Sequence, residues 1–131
     1  MGQTYTQEVF RYFLRVESNR GAQARRSVLL LLVSLEERDG AKAAITRAVA
    51  DEIFSGLWRT VREVDFVGWF RQDRVAAAVL TQGDALPAAE DCRRIAQRIT
   101  RALQQRVPND IAGRLDVQVR QWRPRHNRQP S

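Results

Sequence analysis

The sequence predicts an α+β domain in which an antiparallel sheet is covered on one face by two helices and is preceded by a further helix. Three observations lead to this prediction. Amphipathic stretches have apolar residues at helical spacing, short apolar stretches have the length of strands, and turn residues separate the two kinds. At 131 residues and 44% hydrophobic content, the chain has the size and core of one domain.

The first two elements are a helix and a buried strand. A helix is predicted over Thr4–Arg20, because Thr4 and Gln7 have the spacing of a capping box. Its apolar face consists of Val9, Phe10, Phe13 and Leu14. The run Arg26–Leu35, which reads RSVLLLLVSL, is short and continuously apolar. Such a run fits a strand that is covered on both faces.

A long helix and a hairpin come next. The helix is predicted over Ala41–Glu63, with an apolar stripe of Ile45, Val49, Ile53, Leu57 and Val61. Two apolar strands follow, Asp65–Phe70 and Arg74–Thr81, and only the polar residues Arg71–Asp73 separate them. So short a break predicts a β-hairpin.

The last two elements are a helix and a half-exposed strand. Pro87 fits the first turn of a helix that ends near Pro108, with an apolar face of Leu86, Ile95, Ile99 and Leu103. Leu115–Trp122 alternates apolar and polar residues, as a strand with one exposed face does. The order strand–helix–strand–strand–helix–strand is that of the split βαβ, or ferredoxin-like, arrangement. We expect one domain over residues 1–122 and a basic, disordered tail over residues 123–131.

Charge and cysteine content narrow the classes of partner and compartment. The net charge is +7, and 21 of the 22 basic residues are arginines. A basic surface attracts phosphate-bearing partners, but an arginine-biased genome explains the same composition. Cys92 is the only cysteine, so no intrachain disulfide can form, which fits a reducing, cytoplasmic setting. We expect no transmembrane segment and no signal peptide, because the longest apolar run is too short and Met1–Glu8 is polar.

Four short motifs occur together in a fixed order. They are Leu31–Glu36 (LLVSLE), Arg62–Asp65 (REVD), the hairpin Phe66–Val75 (FVGWFRQDRV) and Arg94–Ile99 (RIAQRI). Their joint order and spacing resemble the GGDEF family, the bacterial diguanylate cyclase-like signalling domains. The resemblance runs from about Tyr5 to Trp122, and it implies a palm, or nucleotide-cyclase-like, version of the ferredoxin-like sheet.

The resemblance also implies that catalysis has been lost. Family cyclases hold divalent metals through an aspartate in the strand motif and an acidic pair in the hairpin, since hard cations need carboxylate oxygens. Here Ser34 occupies the strand position. The hairpin retains Asp73, but Arg74 places a positive charge where the second acid would lie. Arg71 and Gln72 replace the two turn glycines. We therefore expect no enzyme activity, no metal and no cofactor.

A ligand site is the second implication of the resemblance. In the family, an RxxD motif and arginines of the next helix bind cyclic di-GMP as an inhibitory site; the matching residues here are Arg62, Asp65, Arg94 and Arg98. Guanidinium groups pair with phosphate or with the guanine edge. The alternative is a local salt bridge between Arg62 and Asp65 beside two solvated helix arginines.

Three functions from different classes follow from these observations. The first is a non-catalytic cyclic di-GMP receptor or regulatory domain. The second is a non-catalytic module for protein interaction or homodimerisation that binds no nucleotide. The third is an active cyclase, against which the missing acids argue. Nucleic-acid binding is supported by the net charge alone.

Overall fold

The computed structural model describes residues 3–23, 28–37, 39–60, 64–81 and 89–122. Within them the elements are β1 (Thr4–Tyr5), α1 (Gln7–Gln23), β2 (Val28–Leu35), α2 (Arg47–Thr60), β3 (Val64–Arg71), β4 (Val75–Thr81), α3 (Ala89–Gln104), α4 (Asn109–Ala112) and β5 (Leu115–Trp122). The α+β class predicted from the sequence is confirmed. The predicted tail over 123–131 lies outside the described residues, as does the predicted helix start at Pro87.

The five strands form one mixed sheet in the order β1-β3-β4-β2-β5. β2 lies antiparallel to both β4 and β5, and β3 lies antiparallel to β4. β1 is parallel to β3, so the prediction of a purely antiparallel sheet is wrong at this edge. The parallel pair places Tyr5 beside Gly68. A Cβ on Gly68 would lie 2.7 Å from the Tyr5 carbonyl oxygen, so the missing side chain allows this close approach.

The start of the first helix also differs from its prediction. Thr4 and Tyr5 are extended, and α1 begins at Gln7 and runs to Gln23. Thr6, rather than Thr4, supplies the hydroxyl at the helix start, where its Oγ1 accepts a 3.5 Å bond from the Val9 N–H. The predicted helix start at Thr4 is wrong because Thr4 and Tyr5 pair with β3 instead of adopting a helical conformation. The predicted end at Arg20 is also wrong, since the helix continues to Gln23.

The sheet is covered on both faces. β2 alternates between them: Leu29 and Leu31 point toward α2 and α3, whereas Leu30 points toward α1, and all three are fully buried. The predicted doubly covered strand is thus confirmed. α2 and α3 share one face, as predicted, and α1 packs Phe10 and Leu14 on the opposite face.

The second helix is shorter than predicted because backbone N–H groups in its expected first turns form hydrogen bonds with distant parts of the chain. The Ala43 N–H donates to the Leu35 carbonyl at 2.8 Å, and the Ile45 N–H donates to the Asp73 carbonyl at 2.7 Å. These long-range bonds hold residues 41–46 outside the helix, and α2 begins at Arg47. The predicted end of this helix at Glu63 lies outside the described residues.

Candidate functional site

The turn of the β3–β4 hairpin is built without glycine. Asp73 takes the left-handed backbone conformation with φ of 60°, which aspartate tolerates better than most residues. The Arg74 N–H closes the turn by donating to the Arg71 carbonyl at 3.0 Å. The hairpin predicted from its short polar break is therefore present.

This hairpin is bound to the start of α1 by a pair of amide side chains. The Gln72 N–H donates to Gln7 Oε1 at 2.6 Å, and the Gln7 N–H donates to Gln72 Oε1 at 3.0 Å. Arg11 adds a 2.8 Å bond from Nε to the Phe70 carbonyl, and its guanidinium lies 4.3 Å from the Phe70 ring centroid. The Gln72 amide and the Phe70 carbonyl of the hairpin are thus both bound by side chains of α1.

At the positions where metal-binding carboxylates were expected, the chain has the hydroxyl group of Ser34 and the positively charged side chain of Arg74, with Lys42 nearby. Ser34 is 4% exposed, and it pairs with Val75 on one side and with Asp116 on the other. Arg74 donates from Nη1 to the Lys42 carbonyl at 2.8 Å, and Lys42 Nζ lies 3.2 Å from Asp116 Oδ2. Within the described ranges, no three acidic, histidine or cysteine side chains are grouped so that they could hold a metal ion.

An open cavity of about 530 Å³ lies beside the hairpin turn, at the first turn of α2. Its charged side chains are Arg47, Asp51 and Asp73, and Trp69 and Phe54 supply apolar wall. The sequence indicated Asp73 but gave no reason to single out Arg47 and Asp51, whose positions depend on the delayed start of α2.

Asp65 lies at a β-bulge near the start of β3, where the pairing with β4 shifts between Val64 and Phe66. The residue is exposed overall, and the two charges that shift its pKa, Glu17 and Arg20, belong to α1. Glu17 and Arg20 form an ion pair there at 3.0 Å. Partial burial of the carboxyl group raises the pKa of Asp65, and Glu17 raises it further while Arg20 opposes the change.

The two helix arginines lie on α3, on the other side of the sheet. Arg94 and Arg98 are exposed, and Arg94 Nη2 contacts Glu90 Oε1 at 3.1 Å with both side chains about 70% exposed. Arg62 lies outside the described residues. The structure thus associates Asp65 with α1 charges and leaves Arg94 and Arg98 facing solvent, so a joint site of these residues stays a prediction.

The elements that carry the predicted site nevertheless share one end of the sheet. Val64 of β3 pairs with Leu80 near the end of β4, and Val28 pairs with both Thr81 and Trp122. The first turns of α3 border the last residues of β5, since both line one groove. The start of β3 and the first turns of α3 therefore lie at the same end.

The raised pKa of Asp65 predicts a pH-dependent stability. Its ordinary pKa is 3.8, and a higher value in the folded state means that the folded protein binds this proton more tightly. The stabilisation from protonation is present below 3.8 and is lost as the pH rises through the folded-state value. Asp65→Asn is therefore expected to stabilise the domain at neutral pH, by less than about 1 kcal/mol because the site is exposed.

Urea denaturation at several pH values measures this effect. The gain from Asp65→Asn is expected to shrink as the pH falls through the raised folded-state pKa of Asp65 and to be lost below 3.8. Asp51→Asn removes the same charge from an exposed site on α2 and serves as the control. A gain that is independent of pH, or that appears equally in both variants, would contradict the interpretation.

Comparison of the chain with family models, with curated proteins and with solved structures found no match in any of the three. The resemblance to the GGDEF family therefore stays a prediction from the sequence motifs. Among the helices of the described residues, none has the length and apolar character needed to cross a membrane.

Proposed function

We propose that the chain is a non-catalytic, GGDEF-like receptor for cyclic di-GMP that works in the bacterial cytoplasm. The observation on which this proposal rests is that the start of β3 and the first turns of α3 lie at one end of the sheet. Asp65 lies near the start of β3 and Arg94 in the second turn of α3, with Arg98 one turn further along the helix, and all three are exposed. Arg62 belongs to the same proposed site by its place in the RxxD motif.

The strand order supports a ferredoxin-like fold of the palm type. Without β1, the sheet has the order β3-β4-β2-β5, and every neighbouring pair is antiparallel. The connecting helices α2 and α3 cover the same face. This is the order expected when two split βαβ units interlock. β1 and α1 then form an N-terminal addition that covers the opposite face.

The hairpin supports the absence of catalysis. Its turn amide at Gln72 and its carbonyl at Phe70 are bound by side chains of α1. A phosphate-binding turn needs free N–H groups and room for close approach. Ser34 offers a buried hydroxyl where metal binding requires a carboxylate. Turnover of GTP in the presence of Mg²⁺ would contradict this part of the proposal.

The ligand chemistry fits the exposed arginines. A guanidinium binds a phosphate or the O6 and N7 atoms of guanine through two parallel hydrogen bonds, and a carboxylate accepts from the guanine N1 and N2 donors. Arg94 would have to leave Glu90 to bind a ligand. Breaking this ion pair costs little free energy, because an ion pair as exposed as this one contributes only about 0–1 kcal/mol to stability.

Isothermal titration calorimetry with the full chain and cyclic di-GMP tests the proposal. The variant Arg94→Ala/Arg98→Ala is expected to weaken binding at least about tenfold, since each lost charged hydrogen bond costs about 1.5–3 kcal/mol. Arg47→Ala/Arg71→Ala removes the same charge from exposed sites at the hairpin end and is expected to bind normally.

Two results would overturn the receptor function. One is the absence of binding at high micromolar ligand in protein whose circular dichroism shows that it is folded. The other is an equal loss of affinity in both double variants, which would show a general effect of charge rather than a site on α3.

A second candidate is an interaction module that binds no nucleotide. It is favoured by Val9 and Tyr12, which are 38% and 54% exposed on the outer side of α1. Contiguous apolar patches that face solvent mark interaction sites, and contact with another protein is one of them. A folded protein that fails to bind the dinucleotide would favour this second function.

A further inference from the structure

The strand β5 forms one edge of the sheet. It pairs with β2 along all eight of its residues, from Leu115 to Trp122, and no described strand lies on its other side. The opposite edge is formed by β1, which is only two residues long. Long edge strands with open backbone groups readily pair with another strand. β5 is therefore the edge with the greater capacity to extend the sheet.

A groove with both apolar and polar walls runs along this edge. The groove has a volume of about 560 Å³ and lies between α3 and β5; its walls include Cys92, Ala96, Val117 and Val119. Val117 and Val119 are half-buried, whereas their β2 neighbours Val33 and Leu31 are fully buried. The inner face of the sheet is thus incompletely covered along β5.

The other face of β5 carries a charge pattern that complements itself. Asp116, Gln118 and Arg120 alternate along this face, and Gln118 bonds to both neighbours: its Nε2 donates to Asp116 at 3.1 Å, and its Oε1 accepts from Arg120. If a second β5 lies antiparallel with Gln118 opposite Gln118, each Asp116 faces Arg120 of the other copy. Val117 then faces Val119 over the groove.

Other registers of the two β5 strands match their faces and charges less well. A shift by one residue would place the polar face of one strand opposite the apolar face of the other, so only shifts by two residues keep the faces matched. Centring the pair on Asp116 or on Arg120 places like charges directly opposite, which is destabilising. Among the registers centred on a residue of β5, Gln118 alone as the centre brings Asp116 and Arg120 together.

We infer that β5 pairs with β5 of a second copy in a two-fold, antiparallel register centred on Gln118. The resulting homodimer has a continuous ten-stranded sheet and an isologous interface. Two Asp116–Arg120 pairs lie on the α1 side, and the two grooves meet on the α3 side. This interface does not depend on cyclic di-GMP, so it is tested independently of the proposed receptor function.

Cysteine cross-linking tests the register in the full chain. In a Cys92→Ala background, Gln118→Cys places two thiols directly opposite, at a Cβ separation of about 4.5–5.5 Å that disulfide formation can close. Gln121→Cys in the same background is the control, because the register separates these thiols by about 20 Å. A covalent dimer is expected for Gln118→Cys alone. Equal cross-linking of both variants, or of neither, would overturn the register.

Charge exchange tests the interface without a covalent bond. Asp116→Arg or Arg120→Asp alone places like charges opposite, and each is expected to weaken dimerisation at least about tenfold in sedimentation equilibrium. The variant Asp116→Arg/Arg120→Asp restores opposite charges and is expected to dimerise again. A wild-type monomer at 100 μM (about 1.5 mg/mL), or a double variant as monomeric as the single ones, would overturn the dimer.

Discussion

Gly68→Ala is expected to destabilise the domain by about 1–3 kcal/mol, the usual cost of overpacking a filled interior. The added Cβ would lie 2.7 Å from the Tyr5 carbonyl oxygen and 2.9 Å from Phe10 Cδ1. The first contact is with backbone, which cannot turn aside as a flexible side chain can. Because Tyr5 lies in β1 and Phe10 in α1, the substitution pushes the whole N-terminal addition away from β3.

Gly113→Ala is the matched control for this prediction. Gly113 has an ordinary φ of −72°, and a Cβ there meets nothing within 4 Å. Its effect is expected to lie within about 0.5 kcal/mol of zero or to be slightly stabilising. Urea denaturation of both variants measures the difference. Equal destabilisation by the two substitutions would contradict the claim that close packing against Tyr5 and Phe10 requires a glycine at residue 68.

The elements that were predicted correctly are those whose characteristic pattern lies in consecutive residues of the chain. β5 alternates apolar and polar side chains, and the apolar run of β2 lacks that alternation because both faces are covered. Both patterns depend only on the period of a strand, so the sequence alone reveals them. The short polar break before Arg74 predicted the hairpin for the same local reason.

The errors arose where distant residues compete with local preference. Thr4 and Tyr5 have helix-compatible spacing, but they pair with β3 more than sixty residues later. Ala43 lies within the predicted helix and Ile45 belongs to its predicted apolar stripe, yet their N–H groups bind Leu35 and Asp73. No local pattern encodes such pairings. Sequence reasoning of this kind therefore places helix starts poorly where a sheet edge or a turn lies nearby.

The candidate site shows the same limit. The apolar run predicted a strand from Asp65, and the strand begins one residue earlier, at Val64. The charges that shift the pKa of Asp65 belong to Glu17 and Arg20, which are more than forty residues earlier in the chain. The pairing of Gln7 with Gln72 likewise joins the two ends of a long segment. The residue types in the sequence indicated which side chains could bind a ligand. Which side chains lie next to them depends on how α1 packs against the sheet, and the sequence does not show that packing.

A second large effect is expected where α2 and α3 cross, at Gly56 and Leu103. Leu103 is fully buried, so Leu103→Ala should cost about 2–5 kcal/mol through lost burial and the cavity left behind. A Cβ on Gly56 would lie 2.6 Å from Leu103 Cδ2 and 3.0 Å from Arg106 Cδ. Gly56→Ala therefore combines a gain in helix propensity of about 1 kcal/mol with an overpacking cost of about 1–3 kcal/mol.

The two substitutions together are expected to be less harmful than their sum. Leu103→Ala removes the methyl group that Gly56→Ala would strike, and the new methyl group fills part of the cavity. The coupling free energy should be about 1 kcal/mol or more in favour of the double variant, within the range for residues in contact. Leu14→Ala, on the opposite face of the sheet, is the control partner for Gly56→Ala, and that pair should add within about 0.5 kcal/mol. Additivity in both double variants would show that the close contact between Gly56 and Leu103 does not set the distance between α2 and α3.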